Sequence, residues 1–216
     1  MLFPYAIRNL KDWAGIFQDK AAFAPLVREI FRRQGLDFSG IDSCTPGSNA
    51  VFCSGGFIVK IFAPEESEIG GESDFLTERF GLRRAAQLGI PAPGLYAEGV
   101  IEDAYIFRYL LMEYVDGESL AACSAHMSGA ERRRIGQSLR RIVDRMDVPC
   151  EPFNSHALFS KAAEARWEAF PEEFREERRA YLNERRAEPA VYVHGDLNPD
   201  NILIRPDGSL CLIDFA

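Results

Sequence analysis

Residues 192–201 read YVHGDLNPDN, and within them His194, Asp196 and Asn201 fit the spacing H-x-D-x-x-x-x-N. A second acid, Asp214, follows thirteen residues after Asn201 as Ile213-Asp214-Phe215, in what the LCLIDF pattern predicts as a hairpin strand. Phosphoryl transfer from a nucleotide needs this equipment: one carboxylate to orient an attacking hydroxyl, and a carboxylate with an amide to hold Mg²⁺. Mg²⁺ suits so sparse a set, because it takes hard oxygen ligands and keeps several waters. Asp, Asn, Gly and Pro are also turn formers, so composition alone leaves open a polar loop without chemistry. What separates the two readings is whether the rest of the chain can bring these groups around one small volume.

The chain has the material to do so. Its 216 residues suffice for one large domain or two lobes with a buried core. The net charge of −8 argues against nucleic acid as a partner and suits a cationic one. No apolar run approaches the roughly 20 residues of a membrane span, and the N-terminus lacks the apolar core of a signal peptide. Cys44, Cys53, Cys123, Cys150 and Cys211 are scattered, odd in number and never in a C-x-x-C pair, which predicts reduced thiols in a cytoplasmic protein.

Phe23, Leu26, Val27, Ile30 and Phe31 recur at helical spacing with Gly35 as a C-cap, so residues 1–36 form a helical lead-in. Between 40 and 62 the period changes to short β-rich runs broken by TPGSN and SGG and ending in FIVKIF. Helical spacing returns over 72–88 and is stopped by Gly89 and Pro91. Strands follow around 94–101 and 104–115. The first half is thus a sheet of about five antiparallel strands with one helix between the third and fourth. After the break at Asp116-Gly117, Ser128 and Glu131 form a capping box for a helix whose stripe is Ile135, Leu139, Ile142, Val143 and Met146. Residues 160–187 predict further helices with interleaved Glu and Arg, a solvated face. VYVHG, NILIR and LCLIDF read as short strands, the last two joined by a Pro206-Asp207-Gly208 turn.

With these elements in place, HGDLNPDN and IDF resemble the wording of the aminoglycoside phosphotransferase and choline kinase superfamily, small-molecule kinases with the protein-kinase-like fold. Gly195 after His194, where protein kinases carry arginine, is the discriminating detail. The resemblance covers about residues 40–216 and implies an α+β, two-lobe fold. An antiparallel-sheet nucleotide-binding lobe with one key helix would span 1–115, and a mostly helical lobe without its C-terminal helices would span 116–216. It implies Asp196 as the catalytic base or orienting acceptor, Asn201 and Asp214 as Mg²⁺ ligands, and ATP or GTP as phosphoryl donor.

Lys60, an isolated cation in Phe57-Ile58-Val59-Lys60-Ile61, would contact the α- and β-phosphates; its lesser reading, taken alone, is a snorkelling strand-edge lysine. By the same resemblance Glu78 pairs with Lys60, with Glu72 and Glu68 as rivals. Gly47, Ser48 and Asn49 of Thr45-Pro46-Gly47-Ser48-Asn49 would cover the phosphates, and the backbone at Glu113 and Val115 would meet the purine. His126, His156, Trp13 and Trp167 read as packing or surface residues. Relatives with this motif continue through further helices, so the resemblance implies a C-terminal segment or a partner that completes the acceptor pocket. The acceptor would be an aminoglycoside, choline-like or sugar hydroxyl. A nucleotide-binding module without catalysis is the alternative, and a protein kinase is disfavoured by Gly195.

Overall fold

The computed structural model describes residues 1–44, 47–150, 164–185 and 188–215, which form two compact units, Met1–Met146 with His194–Ala216 and Asp147–Val193. Thr45, Pro46, His156 and the expected helical start at 160–163 lie outside the described residues. The expected lobe boundary at 115/116 falls within the larger unit.

In the larger unit, strands β1 (Asp42–Ser43), β2 (Ala50–Ser54), β3 (Phe57–Ile61), β4 (Leu95–Glu102) and β5 (Ile106–Glu113) make an antiparallel sheet in the order β1-β2-β3-β5-β4. Along β2 the side chains of Ala50, Phe52 and Ser54 are buried while Val51 and Cys53 are partly exposed, the alternation of a strand with one covered face. Gly55 and Gly56 both take positive φ between β2 and β3, as a tight two-residue hairpin demands.

Two helices precede the sheet, α1 (Leu10–Ala14) and α2 (Lys20–Gln34). Asp19 accepts the first free amides of α2 and Gly35 closes it in the left-handed conformation, so both ends are specified locally. The periodic residues Phe23, Leu26, Val27, Ile30 and Phe31 are all buried, packed with Phe52, Val59, Phe107 and Leu111 of the sheet and with Phe3 and Trp13. Helix α3 (Gly71–Gln87) lies between β3 and β4 in the chain, as expected. It starts so close to Ala63 that a Cβ on Gly71 would stand 2.1 Å from the Ala63 carbonyl oxygen.

A second antiparallel sheet, β6-β7-β8, unites β6 (Glu118–Ser119), β7 (Ile202–Ile204) and β8 (Leu210–Leu212). Between β6 and β7 come α4 (Leu120–Cys123) and α5 (Gly129–Met146). The capping box forms: the Ser128 amide donates to Glu131 Oε2 at 2.8 Å and the Glu131 amide to Ser128 Oγ at 3.3 Å. Ile135, Ile142 and Met146 are buried along α5, whereas Val143 is exposed, so the apolar stripe is narrower than its spacing suggested.

The smaller unit holds α6 (Glu172–Arg185), none of whose residues is buried, together with a cluster of Trp167, Phe170 and Phe174 rings. Arg178 stacks 5.0 Å over Trp167 and pairs with Glu164 at 3.0 Å. The strand expected at VYVHG reduces to one bridge, Pro149 with Val191. The chain turns at Gly195, with φ of 89°, so the run is not continued as a strand. Among the described residues no helix is long and apolar enough to cross a membrane, and the five cysteines are free thiols.

Candidate active site

Lys60 lies on β3 between Val51 of β2 and Leu110 of β5, so its stem is enclosed by apolar strands and its ammonium must find partners inside the protein. It finds two. Nζ stands 2.6 Å from Glu78 Oε2 of α3 and also hydrogen-bonds Asp214 Oδ1. The rival acids are elsewhere: Glu72 pairs with Arg108, and Glu68 occupies a left-handed turn. Burial acts to lower the proton affinity of Lys60, but the charges of Glu78 and Asp214 outweigh it and raise it, so Lys60 stays cationic. Burial pushes the Glu78 carboxyl up, the ammonium beside it pulls the other way, and Asp214 and Asp74 add to the rise.

Asp214 lies two residues beyond the end of β8, not within the hairpin strand as the LCLIDF pattern suggested. The Ile213 amide still donates to the Asn201 carbonyl at 3.0 Å, but the backbone then turns, and Asp214 takes φ of 62°. A non-glycine residue in that region is strained, although aspartate tolerates it better than most. The turn leaves its carboxylate half exposed, with Lys60 on one oxygen.

His194 is 2% exposed, and its Nε2 lies 3.0 Å from the Ile213 carbonyl oxygen, to which it donates. Its ring stacks on Phe215 at 4.5 Å between centroids. Burial lowers its pKa, against the Ile213 carbonyl and the charges of Asp196 and Asp214, so the ring is held neutral. Two residues on, Asp196 Oδ2 accepts from Asn201 Nδ2 at 3.0 Å and from Asn198 Nδ2 at 2.9 Å. Asn201 Nδ2 also donates to the Asp196 carbonyl at 2.9 Å, so the loop is closed on itself.

Asn198 was not singled out in the sequence. Its Oδ1 caps the short turn Pro199–Asn201, accepting from the Asp200 and Asn201 amides, while its amide fixes Asp196. An Asn just before Pro is a cap signal, and that was the available clue. Gly81 was missed too: a Cβ there would lie 2.5 Å from Phe215 Cβ, so this mid-helix glycine lets α3 rest on the residue after Asp214. An isolated glycine inside a helical pattern marks such close packing.

Of the expected phosphate-covering residues, Gly47 is exposed with open space around it. The Ser48 carbonyl accepts from the Trp13 indole at 2.9 Å. The Asn49 side chain is buried and used inside the protein: Oδ1 accepts from the Ala63 amide at 3.1 Å, and Nδ2 reaches Asp74 at 3.4 Å. At the end of β5 the Glu113 amide donates to the Gly94 carbonyl at 2.8 Å and the Tyr114 amide to Gly56 at 3.1 Å, on opposite sides of the strand. By strand alternation the Glu113 carbonyl faces the β4 side, just before that strand begins at Leu95.

The donor chemistry around Asn201 and Asp214 fits a hard cation. Asn201 spends its Nδ2 hydrogens on Asp196, which turns its oxygen away, and Asp214 has one oxygen outside the Lys60 contact. Among the described residues no three His, Cys, Asp or Glu side chains form a metal group. A cation here would rest on this amide–carboxylate pair and on ligand oxygens.

An antiparallel sheet with a buried Lys–Glu pair, followed by a closed H-x-D-x-x-x-x-N loop and an aspartate just past a hairpin, is the protein-kinase-like arrangement. Residues 48–216 match the family described as phosphotransferase enzyme family, and the chain belongs to that family. By that membership it is a phosphotransferase. No curated protein matches the chain.

Among solved structures it is similar to wild-type aminoglycoside 2'-phosphotransferase-IIIa in its GDP complex, at TM-score 0.62 and 18% identity over 92% of this chain and 73% of that one. It is similar also to an aminoglycoside-3'-phosphotransferase of type VIII, at TM-score 0.54 and 23% identity over 88% of this chain and 74% of that one. A GDP and kanamycin complex of APH(2")-IIia matches at TM-score 0.57 and 18% identity, over 89% and 72%.

Proposed function

We propose that this protein moves the γ-phosphoryl group of ATP or GTP to a hydroxyl of a small molecule, with Mg²⁺ as cofactor. The observation that carries the reading is the ion cluster of Lys60, Glu78 and Asp214 beside a loop that holds Asp196 in one orientation. Lys60 binds the α- and β-phosphates, and Glu78 keeps its ammonium aimed at them. Asn201 and Asp214 hold the cation, which neutralises phosphate charge when bound. Gly47 and Ser48 approach the phosphates through their backbone, since the Asn49 side chain is engaged elsewhere. The Glu113 carbonyl and the Val115 amide bind the purine edge at a hinge dividing residues 1–115 from 116–216.

Asp196 accepts a hydrogen bond from the acceptor hydroxyl and takes its proton as the oxygen bonds to the γ-phosphorus. The bond to the bridging oxygen then breaks, leaving a nucleoside diphosphate. Asn198 and Asn201 hold Asp196 for this step, so little reorganisation is needed. The acceptor class is an aminoglycoside, choline-like compound or sugar; the names of the similar structures and the acidic net charge favour a cationic amino sugar. Dependence on a nucleoside triphosphate and the free thiols suit the cytoplasm.

The test compares Asp196→Asn with Asp214→Asn by calorimetry with and without Mg²⁺, and by turnover on an acceptor panel. Asp196→Asn should leave nucleotide affinity nearly unchanged while transfer falls by roughly 10²–10⁴-fold. Asp214→Asn should lose the Mg²⁺-dependent part of nucleotide binding as well as transfer. Equal losses of nucleotide affinity in both variants would reverse the assignment. Nucleotide binding without turnover on any acceptor would leave a binding module instead.

A further inference from the structure

Away from the ion cluster, within the larger unit, a cavity of about 880 Å³ lies between the Gly89-to-Pro91 segment, helix α5 and the β7–β8 hairpin. Its floor is apolar, made by Ile142 and Leu210, both buried, and its rim carries three arginines, Arg141, Arg145 and Arg205. Many arginines elsewhere on this acidic protein are matched with carboxylates, as Arg33 with Glu29 and Arg83 with Glu98, although others among the described residues, such as Arg28 and Arg132, are not. Among the described residues these three form no salt bridge. Arg141 Nη2 donates to Ser138 Oγ at 3.0 Å, and Arg145 Nη1 donates to the Gly89 carbonyl at 2.7 Å. The Arg205 Nε is enclosed with no partner among the described residues.

Two acids lie nearby, and hydrogen bonds from Ser209 together with the Arg205 charge hold the Asp207 carboxyl below its usual range. Asp144, on the cavity wall, pairs with Arg140 at 2.7 Å, and Asp207 accepts from the Ser209 amide at 2.8 Å. Three guanidiniums line one basin with only Asp144 among its lining residues as an acid, a surplus of positive charge that favours an anion. Planar forks with free N–H groups match the paired oxygens of phosphate or carboxylate.

We propose that this basin binds a small, multiply charged oxyanion, held by Arg141, Arg145 and Arg205 with Ser138 and Ser209 at its edge. Its walls are mechanically tied to the ion cluster. The segment at Gly89 continues directly from α3, which bears Glu78, and the Pro91 carbonyl accepts from Leu212, two residues before Asp214. The inference does not depend on the proposed reaction, since it concerns binding alone at a separate place.

The full-length chain, labelled with ¹⁵N, is titrated with inorganic pyrophosphate and separately with citrate. Saturable shifts of the Gly89, Ser209 and Leu210 amides are expected, and the tighter of the two probes identifies phosphate or carboxylate chemistry. Arg141→Gln should weaken binding roughly tenfold, equivalent to about 1.4 kcal/mol. Arg141→Lys, which keeps the charge but loses the fork, should fall between. Arg141 is exposed, so both variants should fold. Shifts that never saturate, that appear only around Lys60, or that persist unchanged in Arg141→Gln would each overturn the proposal.

Discussion

Removing Lys60 tests how a buried charge is tolerated. In Lys60→Met the Glu78 carboxylate, 4% exposed, would keep its burial and lose its cation. Breaking such a pair costs about 3–5 kcal/mol, because a lone charge remains out of water. Replacing both partners, as Lys60→Met with Glu78→Leu, should recover most of that loss, since an apolar pair of similar volume needs no hydration. Urea denaturation of the three proteins measures this, and equal stability of the single and double variants would show that Glu78 is not the charge left stranded. His194 adds a pH signature. Its folded pKa lies below the ordinary value of 6.5, so an unfolded chain binds the proton more readily than the native one. The stability it contributes is complete above pH 6.5 and is lost as pH falls through the lower folded value. Melting curves from pH 7.5 to 5.5 should therefore fall less steeply for His194→Gln than for the native protein.

Elements decide whether these residues meet. Gly81→Ala would force its new Cβ against Phe215, and overpacking of this kind costs about 1–3 kcal/mol. The strain should be relieved by Phe215→Gly, which removes the contacted Cβ, so the double variant should be more stable than additivity of the two single ones predicts. A thermal-denaturation cycle reads this coupling, and strict additivity would show that α3 does not rest on Phe215. Much of this framework was legible in the sequence. The spacing of Phe23 to Phe31, the Ser128–Glu131 box and the helix between the third and fourth strands are local signals, and each element forms where its signal lies. Strand β6 was not legible, because two residues carry no period and exist as a strand only through pairing with β7. VYVHG failed for the opposite reason, a strong local pattern that pairs as a strand only through the bridge of Val191 with Pro149 among the described residues. The motif residues His194, Asp196, Asn201 and Asp214 were visible through their spacing. The role of Asn198 was not, since it depends on where the turn at Pro199 aims a side chain.

Over the whole molecule, charge and mass action are the governing quantities. A net charge of −8 should draw a cationic acceptor toward the protein and leave a neutral sugar indifferent. Turnover measured at rising ionic strength would then lose kcat/KM for an amino sugar and keep it for a neutral one; parallel behaviour would remove charge as a basis for acceptor choice. Nucleotide bound only by the native state should add about 2.7 kcal/mol of stability at a hundredfold excess over Kd. The ion cluster also sets an order of arrival. Lys60 carries one positive charge and already faces two carboxylates, so the cluster by itself is net negative by one. A free nucleoside triphosphate approaching it meets like charge and a cation already occupied twice. On the proposed reading, a metal-complexed nucleotide brings its own countercharge, which Asp214 would accept while Lys60 turned to the phosphates. Chelating the metal should thus do more than stop transfer: the protein should become nearly blind to the nucleotide itself.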